Sequence, residues 1–259
     1  KERAEVEGLE LPEVVVAALD VLWSVDSTNA ELLRRSAPAQ GVAVVLAERQ
    51  TGGRGRRGRT WASPLAAHVY LSLARRFEGG LARLGGLSLV AGIAAAEALR
   101  AAGFDEVGPK WPNDLFADGR KLGGLLIEGG GEHGGPVRAV IGIGVNVRMP
   151  EAAASVIDQP WTDLSRLSAG PVSRDAMVAV LLSHLLPALD LFDAQGLAPF
   201  LPRFTALDVL RGHQVQVWTG QGSESGIALG VAADGALRVQ VDGTERLFHA
   251  GEVSVRTAG

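Results

Sequence analysis

Apolar residues along this chain alternate with small or polar ones over short stretches, and twice recur at helical spacing over a longer one. Val42, Val44 and Leu46 alternate within 41–48, and Val69, Leu71 and Leu73 within 68–75. Both stretches predict half-buried strands, because strand side chains point to opposite faces in turn. Leu115-Phe116-Ala117, a glycine-broken apolar run to Ile127, and the run Val137 to Val147 predict three more. Asp118-Gly119 separates the first two and is a hairpin dipeptide, and a glycine-laden loop at 129–135 joins the last two. Leu87, Val90, Ala91, Ala94 and Ala98 predict a helix over 86–101, with Gly103 as its stop. Ser173 caps a second long helix to about Gln195, with a kink expected at Pro187. Thr28 and Glu31 read as a capping box opening a short helix to about Arg35, while 11–25 fits a helix or a strand.

The character changes near Leu207. Val215 and Val217, then Ile227, Leu229 and Val231, then Leu237, Val239 and Val241 alternate in short runs, punctuated by Asp234-Gly235 and Asp242-Gly243. That pattern predicts a small all-β barrel of about 50 residues. The expected fold class is therefore α+β: a mixed β-sheet with helices packed on it over residues 1–207, and a C-terminal barrel over 208–259.

Composition narrows the function classes. Of 259 residues, 47% are hydrophobic and 21% charged, as in an ordinary globular chain, but thirty-four are glycine, near double the usual ~7%. The absence of cysteine excludes disulfides, thiolate metal sites and a cysteine nucleophile. The charged start Lys1-Glu2-Arg3-Ala4-Glu5 is unlike a signal peptide, and no apolar run is read as membrane-spanning, so a cytoplasmic location is expected.

Chemistry concentrates in Gly52-Gly53-Arg54-Gly55-Arg56-Arg57-Gly58-Arg59-Thr60-Trp61, a dense positive loop on a chain of formal net charge −4. Its glycines let backbone N–H groups approach an anion, and its guanidiniums grip phosphate oxygens in pairs. Gly53, Gly55 and Gly58 fit the dinucleotide pattern, and the same stretch approaches a P-loop with Arg59 at the lysine position. Both patterns need a helix directly afterwards, and Trp61-Ala62-Ser63-Pro64 starts none. What stands is an Arg/Gly loop able to wrap a phosphate-bearing ligand; the bland alternative is a solvated linker.

Gly142, Gly144 and Asn146 fall on one face of their strand and Ile141, Ile143 and Val145 on the other. A face bare of side chains lets a ligand, or a packed helix, lie against the backbone. Lys110-Trp111-Pro112-Asn113-Asp114 gathers polar groups around a proline, where Asn113 and Asp114 bind a ligand or satisfy their own turn. Lys121-Leu122-Gly123-Gly124 places an ammonium beside two glycines. Trp61 and Trp111 are candidates to stack on a fused ring or to fill the core. The five histidines show no ligand spacing, and no catalytic triad is evident.

Together these segments, with Asp26-Ser27-Thr28-Asn29 and Glu48-Arg49-Gln50, resemble the biotin protein ligase (biotin–[acetyl-CoA-carboxylase] ligase) family over roughly residues 20–150. The resemblance implies a class II aminoacyl-tRNA synthetase-like catalytic domain followed by an SH3-like barrel. It implies that biotin and ATP are the substrates, with Mg2+, and that biotinyl-5′-AMP forms before biotin passes to a lysine of the biotin carboxyl carrier protein. Lys121, Arg54 and Arg56 would be catalytic. Ser27, Thr28, Asn29, Gln50, Gly53, Arg54, Lys121, Gly124, Gly142 and Val145 would surround biotin. Arg56, Arg57, Arg59, Trp61, Asn113, Asn146 and Arg256 would face the nucleotide, with no protein-held metal. A homodimer is expected.

With about 25 residues ahead of Ser27, the winged-helix DNA-binding domain of some members is not expected here. The competing readings are a lipoate–protein ligase of related fold and a biotin-sensing repressor that binds nucleic acid. The segment 208–259 carries Arg211, Arg238, Arg246 and Arg256 against six carboxylates, which argues against nucleic acid as a partner.

Overall fold

The computed structural model describes residues 15–78, 80–130, 136–155, 157, 159–220, 222–251 and 254–257. From residue 131 the glycine-laden loop, with His133, lies outside them, as do the charged start of the chain and Val253.

Seven strands form the larger sheet: β1 (Val16–Leu22), β2 (Val42–Ala47), β3 (His68–Phe77), β4 (Gly108–Lys110), β5 (Asp114–Ala117), β6 (Arg120–Gly130) and β7 (Val137–Asn146). Their order is β1-β2-β3-β7-β6-β5-β4. Only β1 and β2 run parallel, joined by a crossover through α1 (Thr28–Arg34), and the ambiguous stretch 11–25 thus supplies an edge strand. Every other pair is antiparallel. The Asp118-Gly119 hairpin joins β5 to β6 with positive φ at both residues, the geometry that selects this dipeptide.

The remaining helices are α2 (Leu87–Ala101), α3 (Glu151–Ala154), α4 (Leu164–Leu167), α5 (Arg174–Gln195) and α6 (Leu201–Leu207). α2 is buried on nearly every side, since its alanines let it wedge between the sheet and α5. α1 is capped one residue earlier than expected: the Ser27 hydroxyl accepts from Ala30 N, while Glu31 pairs with Arg34 and Arg35 instead of closing a box. α5 opens at Ser173 as expected and continues through Pro187 as one element. By length and composition alone it could cross a bilayer, its most apolar 18 residues having a mean hydropathy of 1.6. It lies instead against α2 and β3, where Arg75 of β3 pairs with Asp190 and Asp193.

The C-terminal strands β8 (Gln214–Thr219), β9 (Gly222–Val231), β10 (Leu237–Val241), β11 (Thr244–Phe248) and β12 (Ser254–Thr257) form an antiparallel sheet in the order β11-β10-β9-β8-β12. It is consistent with the expected SH3-like domain, and among the described residues no pairing joins β11 to β12. The division into 1–207 and 208–259 remains a proposal. One cluster of buried side chains runs from α2 through Phe204 into Val215 and Leu237, and the Trp111 indole donates to Gly235 O at 3.0 Å.

Asp208 lies between α6 and β8. Its Oδ1 accepts from Leu210 N at 2.9 Å, and its enclosed Oδ2 has no partner among the described residues. Burial raises its pKa from 3.8 to about 6. A carboxyl whose pKa is raised on folding contributes stability below pH 4 that is lost as pH rises through about 6. Asp208→Asn is therefore expected to stabilise the protein at pH 8 by about 2 kcal/mol, with no gain below pH 4. Thermal melts of both proteins at pH 4 and 8 check this, and an equal effect at the two values would refute it.

Candidate active site

The Arg/Gly loop leaves β2 and doubles back on itself. Trp61 N donates to Gly53 O at 2.9 Å and Gly55 N to Arg59 O at 2.7 Å, with a single 3-10 turn, Arg56–Gly58, at the tip. Arg57 and Gly58 both take positive φ there. No helix follows before β3, as the rejection of the Rossmann and P-loop readings required. The neck is tight: a Cβ on Gly53 would lie 2.7 Å from Trp61 O.

This loop closes over the face of β6 and β7 that carries Gly124, Gly142 and Gly144. The opposite face, with Ile141, Ile143 and Val145, is buried in the same cluster as α2. On the bare face a Cβ at Gly142 would come within 2.3 Å of Asn29 Oδ1, and one at Gly144 within 2.7 Å of the Trp61 indole. The glycines therefore admit both a residue of α1 and the loop tryptophan. Between loop and sheet lies a cavity of about 290 Å³.

Two of its cations are held in ion pairs and two by neutral oxygens. Lys121 Nζ meets Asp114 Oδ1 at 2.7 Å and lies 5.6 Å from the centre of the Trp61 ring. Arg54 reaches Glu128 at 3.4 Å on the rim. Arg56 donates to Asn113 Oδ1 at 3.1 Å, to Gly251 O at 3.0 Å and to Ala250 O, tying the loop to the segment after β11. Burial pulls its guanidinium below the usual value. Lys110 is almost wholly enclosed, donates to Val255 O at 2.6 Å, and is pulled by burial from 10.5 to about 8. The Trp61 Nε1 donor is enclosed with no partner among the described residues.

A polar chain crosses the floor. Gln50 Oε1 accepts from Thr28 N at 2.9 Å, and Gln50 Nε2 donates to Ser63 Oγ at 3.1 Å. Ser72 Oγ stands 2.7 Å from Thr28 Oγ1 and 2.6 Å from Asn29 Oδ1. Asn29 Nδ2 in turn donates to Leu126 O at 3.2 Å and Glu128 Oε2 at 2.8 Å.

Most residues expected at the site border this cavity. Ser27, Thr28, Asn29 and Gln50 line one end, with Gly124, Gly142 and Lys121. Arg54, Arg56, Arg57, Arg59 and Trp61 cover it, and Asn113 and Arg256 line its other walls. Three do not border it. Gly53 forms the neck of the loop. Val145 turns its side chain into the core, as the period-two alternation of β7 requires. Asn146 is buried and donates to Thr162 O at 3.0 Å. Trp111 fills the core, whereas Trp61 lies in the cavity. Sequence reasoning missed Ser72, Glu128 and Lys110 as members of the site's hydrogen-bond framework. The signal available for Ser72 was a polar residue between Leu71 and Leu73, on the face that β3 turns away from the core of α2.

The chain is similar to known proteins along most of its length. Residues 21–146 match the biotin/lipoate A/B protein ligase family, and residues 212–256 match the biotin protein ligase C terminal domain. The bifunctional ligase/repressor BirA of Escherichia coli is 42% identical over 238 residues, covering 92% of this chain and 74% of that protein. A biotin–[acetyl-CoA-carboxylase] ligase of Paracoccus denitrificans is 33% identical over 243 residues, covering 90% of this chain and 98% of that one. A structure of the Aquifex aeolicus biotin protein ligase in complex with biotin and ATP superposes with a TM-score of 0.78 at 26% identity. It covers 93% of this chain and 100% of that one.

Proposed function

The chain belongs to the biotin/lipoate A/B protein ligase family, among its biotin protein ligases, and on that premise we propose how its cavity performs the reaction. A biotin carboxylate oxygen attacks the α-phosphorus of ATP, the bond to the β-phosphate oxygen breaks, and pyrophosphate leaves. The biotinyl-5′-AMP so formed is attacked at its acyl carbon by a lysine amine of a biotin carboxyl carrier protein. An amide forms, AMP departs and the amine loses a proton.

The observation that carries this reading is the convergence of Arg54, Arg56 and Lys121 on one cavity floored by bare glycine backbone. Adenylation brings two anions together and concentrates negative charge at phosphorus, and fixed cations in an enclosed site offset both. Lys121, held by Asp114, is assigned to the carboxylate and α-phosphate, and Arg54 and Arg56 to the phosphate oxygens. Trp61 is assigned to the adenine, with Arg57, Arg59, Asn113 and Arg256 around the nucleotide. Ser27, Thr28, Asn29, Gln50, Gly124 and Gly142 are assigned to biotin. Gly53 and Asn146 are assigned supporting roles, in the loop neck and against Thr162.

Among the described residues no group of three or more His, Cys, Asp or Glu side chains is arranged to hold a metal. Mg2+ is proposed, on the family resemblance, to arrive on the nucleotide phosphates, where it would neutralise leaving-group charge. A homodimer is proposed on the family resemblance and a cytoplasmic location on the sequence expectation, and sedimentation of the purified protein with and without ligand tests the first.

The direct test is exchange of labelled pyrophosphate into ATP with magnesium, with biotin and lipoate in parallel. Exchange with biotin alone is expected. Exchange with lipoate alone would reassign the substrate, and exchange with neither would overturn adenylation.

A further inference from the structure

Ser72 lies on β3 beneath the cavity, fully enclosed, and is absent from the motifs that mark the site. Its hydroxyl has one proton and two partners, Thr28 Oγ1 at 2.7 Å and Asn29 Oδ1 at 2.6 Å. The Asn29 amide orientation follows from its surroundings, because Leu126 O and Glu128 Oε2 both require a donor and so hold Nδ2. Asn29 Oδ1 can then only accept, and it takes the Ser72 proton. The short contact between Ser72 and Thr28 is left for Thr28 to donate. That uses the only Thr28 hydroxyl proton, at the expense of the longer 3.1 Å contact to Gln50 Oε1, which keeps the Thr28 N–H. The chain is thus directional: Thr28 to Ser72 to Asn29.

We propose that Ser72 is a positioning residue that fixes Thr28 as a hydrogen-bond acceptor toward the cavity, so that this end of the site selects a ligand bearing an N–H donor. The inference rests on the biotin reading and deepens it. A ureido ring carries such N–H groups, and a dithiolane ring carries none. A polar group that requires a donor is left unsatisfied by a ligand without one, which is how a hydrogen-bonding site rejects an analogue of similar size.

Ser72→Ala removes the fixing hydroxyl without touching the cavity wall. It is expected to raise KM for biotin by about tenfold or more, with kcat and KM for ATP within about twofold. Equilibrium binding of biotin without ATP is expected to weaken by the same factor, and Ser72→Thr, which restores a hydroxyl, to recover most of the loss. Two results would overturn the inference: a folded Ser72→Ala protein with unchanged biotin binding, or a loss shared alike by KM for biotin, KM for ATP and kcat together with a lowered melting temperature. If the unsubstituted protein exchanges pyrophosphate with biotin while Ser72→Ala binds it normally, only the Ser72 inference fails. If the unsubstituted protein shows no biotin-dependent exchange, both readings fail.

Discussion

Lys121→Ala is expected to lower biotin-dependent pyrophosphate exchange by on the order of 10²–10³ while the protein stays folded. The lysine ammonium lies beside the Trp61 ring with a carboxylate partner, in a site largely shielded from water. Its backbone is held independently of its side chain: Lys121 N donates to Pro160 O and Thr162 N donates to Lys121 O. Removing the ammonium takes the ion-pair partner from Asp114 at the place where anions must meet and leaves Arg56 and Lys110 to offset its charge, which adds repulsion to the lost attraction. Arg56→Ala is expected to act in the same direction, and also to release the tie between the loop and the 250–251 carbonyls. Exchange rates near that of the unsubstituted protein in both variants would remove the electrostatic roles assigned here.

Gly144→Ala is the second large effect, and it separates binding from stability. The new Cβ would lie 2.7 Å from the Trp61 indole, too close for any real contact, so the ring must leave the sheet. A Gly→Ala change where φ permits it also restricts the unfolded chain, which favours the folded state by roughly 0.4–1 kcal/mol. KM for ATP is therefore expected to rise by at least about tenfold with a melting temperature unchanged or slightly raised, since a lost stacking partner costs about 1–3 kcal/mol. An unchanged KM for ATP would show that Trp61 does not take the adenine.

Much of this site was legible without coordinates. The motif at 26–29, the Arg/Gly loop, the 110–114 segment, Lys121 and the glycine face of β7 each carry residue types demanded by their chemistry, and they border one cavity. The alternation of Gly142, Gly144 and Asn146 was read correctly as one face, yet the same alternation sends the Val145 side chain into the core. Asn146 shares the glycine face but lies at the end of β7, where it satisfies Thr162 O instead of bordering the cavity. The capping residue of α1 was misplaced by one position because Ser27 and Thr28 are both competent caps. The backbone chose Ser27, leaving Thr28 inside the helix and directed at the floor.

The sequence by itself determined the periodic elements, the turn dipeptides and the identity of the segments that border the cavity, because those depend on neighbours a few residues apart. Only the tertiary structure decided the partners. Ser72 meets Asn29 across 43 positions, Asn29 meets Glu128 across 99, and Arg56 meets Gly251 across 195. Such contacts depend on strand order and on the depth at which each element packs, neither of which is encoded in local spacing. A hydroxyl with one proton becomes directional only when folding surrounds it with groups whose own protons are already committed.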